Sequence, residues 1–311
     1  MEKKISLLGL DNAGKTSLLY FLDRKFNLIR RLKPTTKAEV NSKKLNLLGL
    51  NLNMWDFGGQ SNYRKQYLEE KDKYFSNINA CFFVIDIQDK KRAKIAISYM
   101  QNLAKLIRNF NPDLRDLVVL FQKFDPELRD EEEYIDLVDE LKNQIEELSL
   151  DFNLSFYTTS IYDGTNILKA FSTEVISKTG KAKLLENVLK DYTKKTFSSA
   201  AILLNESYLF LAQRATKERY LNFCTDIVPE LSRVMDRLNK WDIKTDDSIW
   251  NVEIKNGESE KIKKGVIFMK RIDIEYYGTV FLMTLCLNKK IQERAYDNIP
   301  KLAKKIKTIL D

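Results

Sequence analysis

The chain has 311 residues, of which 44% are hydrophobic and 31% charged, and its formal net charge is +8. This composition is typical of folded soluble protein, and the length exceeds that of one ordinary domain, so we expect two domains. The sequence contains no histidine, which excludes a histidine general base and any metal site built on imidazole. The three cysteines are dispersed, and we expect them to be reduced thiols in the core.

A phosphate-binding pattern lies near the N-terminus, between a short apolar run and a segment with helical spacing. Residues 9–16 fit G-x-x-x-x-G-K-[ST] at every fixed position. Gly9 and Gly14 permit backbone angles at which successive N–H groups point at phosphate oxygens. Lys15 is expected to reach the β- and γ-phosphates, and Thr16 to bind Mg²⁺. The pattern therefore predicts a strand, a phosphate-binding loop and a helix, in that order.

A polar segment follows this helix. Residues 30–37 have neither helical nor strand periodicity and are predicted to form a loop. A threonine in such a loop, about 20 residues after the lysine, can join the Mg²⁺ shell when a γ-phosphate is present. We assign this role to Thr35, and Thr36 is the alternative.

A second candidate loop begins where a predicted strand ends. Residues 45–47 and 50–54 alternate apolar with polar side chains, which predicts a pair of strands. The second strand leads into Asp56, which is expected to hold Mg²⁺ through water. Gly58 and Gly59 let the backbone approach a γ-phosphate, and Gln60 is expected to orient an attacking water.

Continuous apolar runs at residues 80–86 and 117–121 predict two central parallel strands with a helix between them. The second run leads into Gln122, Lys123 and Asp125. The carboxylate of Asp125 can accept hydrogen bonds from the N1–H and the amino group of guanine, a donor pair that adenine lacks. The stem of Lys123 is expected to lie along the base plane.

The remainder of the first half continues the alternation of strands and helices. Asp130 is predicted to cap a helix, residues 154–157 to form a strand, and residues 167–178 to form a closing helix. The backbone N–H groups after the strand, at Ser160 and Ile161, are expected to meet O6 of guanine. This alternation predicts an α/β fold with a doubly wound, mostly parallel sheet.

The pattern changes at Gly180, so the predicted domains are residues 1–180 and 181–311. The second half has the predicted order α-β-β-α-β-β-β-α, an α+β domain with an antiparallel sheet, and contains no chemical motif. We interpret it as an interaction module. Its last helix carries an apolar stripe that either packs on its own sheet or lies on a membrane surface. Pro300 predicts a kink or a restart of that helix.

The motifs resemble those of the Ras superfamily, and residues 9–17 are similar to the Arf branch and its Rag/Gtr relatives. The Rag/Gtr type is favoured, because residues 31–35 with Glu39, residues 55–60 and residues 159–163 are each similar to a segment of that family. The resemblance continues into residues 191–214, where a helix and a hairpin imply a roadblock (longin-like) domain. Gln122 departs from the pattern, since most small GTPases have Asn there and Rag proteins have His.

The resemblance implies a P-loop NTPase G domain that binds GTP or GDP with Mg²⁺ and hydrolyses GTP slowly. The implied catalytic residues are Gln60 and Lys15, and the implied metal ligands are Thr16, Thr35 and Asp56. The predicted nucleotide-binding residues are Gly9, Asp11, Asn12, Ala13, Gly14, Lys15, Thr16, Ser17, Gly58, Gly59, Gln122, Lys123, Asp125, Ser160 and Ile161.

The resemblance also implies partners. Two such subunits pair through their roadblock domains, as a homodimer or as a heterodimer with a paralogous GTPase. Roadblock scaffold proteins and a GTPase-activating protein are further implied partners. No nucleic-acid partner is expected, because the basic residues are interrupted by acidic ones.

Localisation follows from the sequence termini and the resemblance. Neither terminus carries a secretory or lipidation motif, so we expect a cytoplasmic protein that reaches a membrane only through its partners.

Two other functions remain open at this stage. A constitutively nucleotide-loaded scaffold subunit would bind nucleotide, hydrolyse little and act mainly by holding a dimer. An ATPase would share the phosphate-binding loop, but Asp125 disfavours it.

Overall fold

The computed structural model describes residues 2–24, 41–47, 50–56, 69, 71–177, 179–241, 243, 245–256, 259–275 and 277–310, without the side chains of residues 2, 41–56, 239, 255–263 and 289. The chain forms two compact units, Met1–Ala170 and Phe171–Asp311. The predicted domain boundary, at Gly180, lies within the second of these units, at the first residue of a helix whose N-cap is Thr179.

The first unit contains a six-stranded sheet in the order β2-β3-β1-β4-β5-β6. Only β2 runs antiparallel to its neighbour, and the other pairs are parallel. The predicted α/β sheet, mostly parallel, is therefore confirmed. Its strands are β1 (Glu2–Gly9), β2 (Asn41–Leu47), β3 (Leu50–Asp56), β4 (Ile78–Asp86), β5 (Asp116–Gln122) and β6 (Asn153–Thr159).

Helices alternate with these strands, as predicted after β1, β4, β5 and β6, and the short helix at residues 71–75 was not predicted. The described ones are α1 (Lys15–Leu22), α2 (Lys71–Phe75), α3 (Ala93–Phe110), α4 (Glu132–Glu147) and α5 (Thr165–Phe171). A 3₁₀ turn, Lys90–Arg92, precedes α3, and a π-helical turn, Ser172–Ile176, follows α5. The prediction that Asp130 caps α4 is wrong: Glu131 is the N-cap and makes no side-chain capping bond. Glu132 and Glu133 lie in the first turn of α4, where negative charges interact favourably with the helix dipole and so favour the helix start.

The sheet of the first unit is buried on both faces. Successive residues of β4, from Cys81 to Ile85, are each at most 1% exposed, which is possible only if both faces are covered. On one face, Ala96, Met100 and Leu103 of α3 pack with Phe83 of β4 in a single apolar cluster. This burial explains why the central strands are continuous apolar runs rather than alternating ones.

The second unit contains a five-stranded antiparallel sheet in the order β8-β7-β11-β10-β9. Its elements, in chain order, confirm the predicted α-β-β-α-β-β-β-α pattern. They are α6 (Gly180–Thr196), β7 (Ala200–Asn205), β8 (Phe210–Ala215), α7 (Glu218–Lys240), β9 (Asp247–Asn256), β10 (Ser259–Ile274), β11 (Gly278–Cys286) and α8 (Lys289–Leu310).

The last helix packs against its own unit. Ala295, Ile299, Leu302 and Ile306 are at most 6% exposed, and α8 contacts α6, β10 and β11, which confirms packing on its own sheet. The prediction that Pro300 restarts the helix is wrong, because α8 is continuous through it. Pro300 lies on the exposed side, where water can satisfy the backbone carbonyl that a proline leaves without a helical donor.

The three cysteines are free and buried, as expected of core thiols. Burial raises the pKa of Cys81 and Cys224 to about 12 and that of Cys286 to about 11. Because the thiolate is the reactive form, these groups are chemically inert in the folded protein.

Within the described part of the chain, no helix is both long enough and apolar enough to cross a bilayer.

Candidate functional site

The loop between β1 and α1 depends on two glycines. Gly9 has φ +142°, and a Cβ there would lie 2.3 Å from the backbone oxygen of Val84 in β4. Gly14 has φ +93°, and a Cβ there would lie 2.9 Å from Cγ of Gln122. Side chains at these positions would be strained and would collide with the neighbouring strands. The loop is therefore held against the carboxyl ends of β4 and β5.

Lys15 is the first residue of α1, and its side chain reaches back to this loop. It is 5% exposed, and its Nζ donates to the backbone oxygens of Gly9 at 3.1 Å and Leu10 at 2.7 Å. Asn12 has φ +61° and is exposed, whereas Ala13 is buried. Thr16 and Ser17 follow in the first turn of α1. The Lys15 ammonium thus binds the backbone at the start of the loop, at Gly9 and Leu10.

Gln122, at the end of β5, lies beneath the phosphate-binding loop. It is 1% exposed, and its Oε1 accepts a hydrogen bond from Oγ1 of Thr159 at 2.5 Å. Because its Cγ is also close to Gly14, the side chain connects β6 with the loop. The longer amide that replaces the usual Asn therefore occupies a packed position between these elements.

Asp125 lies after β5 with both carboxylate oxygens hydrogen-bonded. Oδ1 accepts from Oγ of Ser160 at 2.6 Å, and Oδ2 accepts from Nε2 of Gln88 at 3.0 Å. Ser160 is fully buried, so one donor is fixed by the core, and Ile161 follows it directly. These contacts hold the carboxylate in one orientation while its remaining lone pairs stay available.

Lys123 forms an ion pair with Asp86 of the neighbouring strand β4. Its Nζ donates to Oδ2 of Asp86, at the end of β4, at 2.5 Å, and its backbone has φ +67°. The ion pair connects the loop after β5 to the end of β4.

The predicted metal ligands are only partly described. Asp56 is the last residue of β3 and is paired with Leu7 of β1 in the sheet register. Strand β3 therefore ends at the sheet edge where the phosphate-binding loop begins. Hydroxyl and carboxylate oxygens, such as those of Thr16 and Asp56, are ligands that Mg²⁺ prefers. Thr35, Gly58, Gly59 and Gln60 lie outside the described residues, as does the Thr36 alternative.

The segment after β4 belongs to the site, although sequence reasoning assigned it no role. Gln88 donates to Asp125 and also to the backbone oxygen of Lys123 at 2.9 Å, and Arg92 contacts Asp11. A signal was available: Asp86 ends a central parallel strand, as Asp56 does, and ligands gather at such strand ends. The same rule, applied to all strands, would have indicated this segment.

The chain is similar in sequence to known GTP-binding proteins. Residues 4–230 match the family model described as "Gtr1/RagA G protein conserved region". The "Ras-related GTP-binding protein A" of Dictyostelium discoideum is 27% identical over 220 residues, which cover 70% of this chain and 71% of that protein. The "GTP-binding protein gtr1" of Schizosaccharomyces pombe is 30% identical over 216 residues, covering 68% and 67%. The "GTP-binding protein GTR1" of Saccharomyces cerevisiae is 28% identical over 215 residues, covering 68% and 67%.

The close approach of Gly9 to β4 predicts a loss of stability on substitution. Gly9→Ala should lower the melting temperature of the first unit by roughly 4 to 8 °C, the shift expected for about 2 kcal/mol of strain in a unit of this size. The control is Gly180→Ala, because a Cβ at Gly180 meets nothing within 4 Å. Thermal unfolding followed by circular dichroism measures both variants. If Gly9→Ala melts at the same temperature as Gly180→Ala, the described packing of the loop is wrong.

Proposed function

Because this chain belongs to the Gtr1/RagA G protein family, we propose that it is a GTP-binding molecular switch that hydrolyses GTP slowly. The single observation that supports guanine recognition most directly is the orientation of the Asp125 carboxylate by Ser160 and Gln88. This carboxylate follows β5, which pairs with β4, and Val84 of β4 lies against Gly9 of the phosphate-binding loop. A base and its phosphates can therefore be bound along one edge of the sheet.

Selection of guanine follows from hydrogen-bond complementarity. A carboxylate has about four acceptor positions, and the two donors to Asp125 among the described residues use two of them. The N1–H and the 2-amino group of guanine can use the others, whereas adenine has an acceptor at N1 and no amino group at C2. ATP should bind much more weakly for this reason.

The phosphates are proposed to lie in the loop formed by residues 9–16. Lys15 already donates to two loop carbonyls, and its ammonium can exchange these acceptors for phosphate oxygens, which are charged and form stronger hydrogen bonds. Thr16, Thr35 and Asp56 would hold Mg²⁺. When bound, Mg²⁺ neutralises charge on the β- and γ-phosphate oxygens.

Hydrolysis is assigned to Gln60, with Lys15 stabilising the charge that develops on the phosphates. Gln60 would orient the attacking water, and the backbone of Gly58 and Gly59 would approach the γ-phosphate. A glutamine that only positions water leaves the reaction slow. An arginine supplied by an activating partner could accelerate it by about 10³ to 10⁵.

For the second half of the chain, residues 181–311, we propose a roadblock (longin-like) dimerisation domain following a G domain of residues 1–180. The antiparallel sheet with α6, α7 and α8 supports this proposal. Large apolar side chains in this half are exposed, among them Val234 at 47% and Trp241 at 80%, which favours a protein-binding surface. The partner would be a second copy or a paralogous GTPase.

The proposed setting is the cytoplasm. A roadblock scaffold protein could bring the dimer to a membrane surface, and a GTPase-activating protein could then regulate it there.

Asp125→Asn tests base selection. The amide can no longer accept both guanine hydrogen bonds, so GDP affinity should fall by roughly 10- to 100-fold. An Asn amide can instead donate to the 2-oxo group of xanthine, so affinity for xanthosine diphosphate should rise. The control is Asp130→Asn, an exposed carboxylate a few residues later. Fluorescence titration measures all three proteins, and an unchanged preference for guanine would contradict the role of Asp125.

Gln60→Leu tests the assignment of hydrolysis. Phosphate release in a single turnover should slow by on the order of 10²-fold, because a misplaced attacking group costs about that much. Gln144→Leu is the matched control, since Gln144 lies on α4 and donates to Glu140. An unchanged rate in Gln60→Leu would refute the role of Gln60. If the wild-type chain binds GTP and releases no phosphate, the scaffold alternative replaces the switch.

A further inference from the structure

Arg92 connects the segment after β4 to the phosphate-binding loop. It is the last residue of the 3₁₀ turn Lys90–Arg92, and its Nη1 donates to the Asp11 carboxylate at 3.0 Å. Its Nη2 donates to the backbone oxygen of Asp11 at 3.3 Å, and its Nε to the carboxylate of Asp89 at 2.6 Å. The guanidinium thus contacts both the side chain and the backbone of one loop residue.

Asp11 presents an electrostatic problem for this loop. It is an acidic residue two positions after Gly9, in a loop proposed to bind a polyphosphate, and like charges at such short range repel. Lys15 supplies a positive charge within the loop, but its described contacts are with backbone oxygens and not with Asp11. The described residue that pairs with the Asp11 carboxylate is Arg92.

Asp89 determines where the guanidinium lies. It is the residue before the 3₁₀ turn, three positions before Arg92, and accepts from its Nε, so two edges of the guanidinium are held, one by Asp89 and one by Asp11. A planar guanidinium with fixed donors is suited to bridge two carboxylates, which a lysine ammonium does less well. The Arg92 and Asp11 side chains are 33% and 40% exposed, so solvent screens the pair partly and its effect on binding should be moderate.

We propose that Arg92 is a positioning residue for nucleotide binding, which neutralises Asp11 and fixes the shape of the phosphate-binding loop before a nucleoside polyphosphate enters. The inference rests on the proposed function and adds to it a residue from outside the loop. It separates two contributions of Arg92: its charge, which offsets that of Asp11, and its hydrogen bonds, which hold the loop backbone.

A double-mutant cycle on the full chain tests the inference. The variants are Arg92→Gln, Asp11→Asn and the two combined, and the probe is a fluorescent GDP analogue in the presence of Mg²⁺. Arg92→Gln should weaken binding by on the order of tenfold, the size expected for a hydrogen-bonded charge. Asp11→Asn in the same chain should restore most of that loss, because the repelling carboxylate is gone. A purely structural role for Arg92 would not be rescued in this way.

The control is Arg108→Gln. Arg108 lies on α3 and pairs with Asp151, so this variant should bind nucleotide like the wild type. Arg92→Gln binding as tightly as Arg108→Gln would overturn the inference. So would a double variant that binds no better than Arg92→Gln. A wild-type chain that binds no guanine nucleotide would instead overturn the proposed function itself.

Should Arg92→Gln fail to fold, Arg92→Lys takes its place. Lysine keeps the positive charge but cannot contact both carboxylates in the same way. Affinity close to that of the wild type then supports neutralisation of Asp11, and a loss of tenfold or more contradicts it.

Discussion

The parallel pairing of β3, β1, β4, β5 and β6 is the constraint on which the candidate site depends. Parallel strands end at the same edge of a sheet, and the register places Asp56 beside β1, Gly9 beside Val84, and Gln122 level with both Asp86 and Thr159. Groups that are far apart in the chain are thereby brought together. The apolar residues that bury both faces of the sheet fix this edge in place, so the core and the site are determined by the same strands.

Charge pairing is the second organising feature of this edge. The carboxylates described there are hydrogen-bonded: Asp11 to Arg92, Asp86 to Lys123, and Asp125 to Ser160 and Gln88. The partners of Asp11 and Asp86 are cations, which matters in a site proposed to bind an anion, because an uncompensated carboxylate would repel the ligand. The segment from Asp86 to Arg92 provides hydrogen-bond partners both to the loop after β5 and to the phosphate-binding loop. It therefore connects the part of the site proposed for the base with the part proposed for the phosphates.

Much of this arrangement could be predicted from the sequence, and the reasons are local. Residues 9–16 have a fixed spacing that dictates a loop, and the uninterrupted apolar runs before Asp86 and Gln122 identify buried parallel strands. The contact between Asp11 and Arg92 joins residues 81 positions apart and follows only once the strand order is known. The capping residue of α4 and the passage of α8 through Pro300 depend on side-chain and solvent geometry that periodicity does not contain. Thr35 and Gln60 stay predictions, because they lie outside the described residues.

Binding of a guanine nucleotide at this edge is tested by the mass of the purified protein under native conditions. We expect a complex whose added mass equals GDP or GTP with Mg²⁺, and a subunit number of two if the second unit dimerises with its own copy. Guanine and adenine nucleotides differ by one oxygen atom, so the same spectrum distinguishes them. A bound adenine nucleotide, or a folded chain that takes up no guanine nucleotide when it is supplied, would contradict the account.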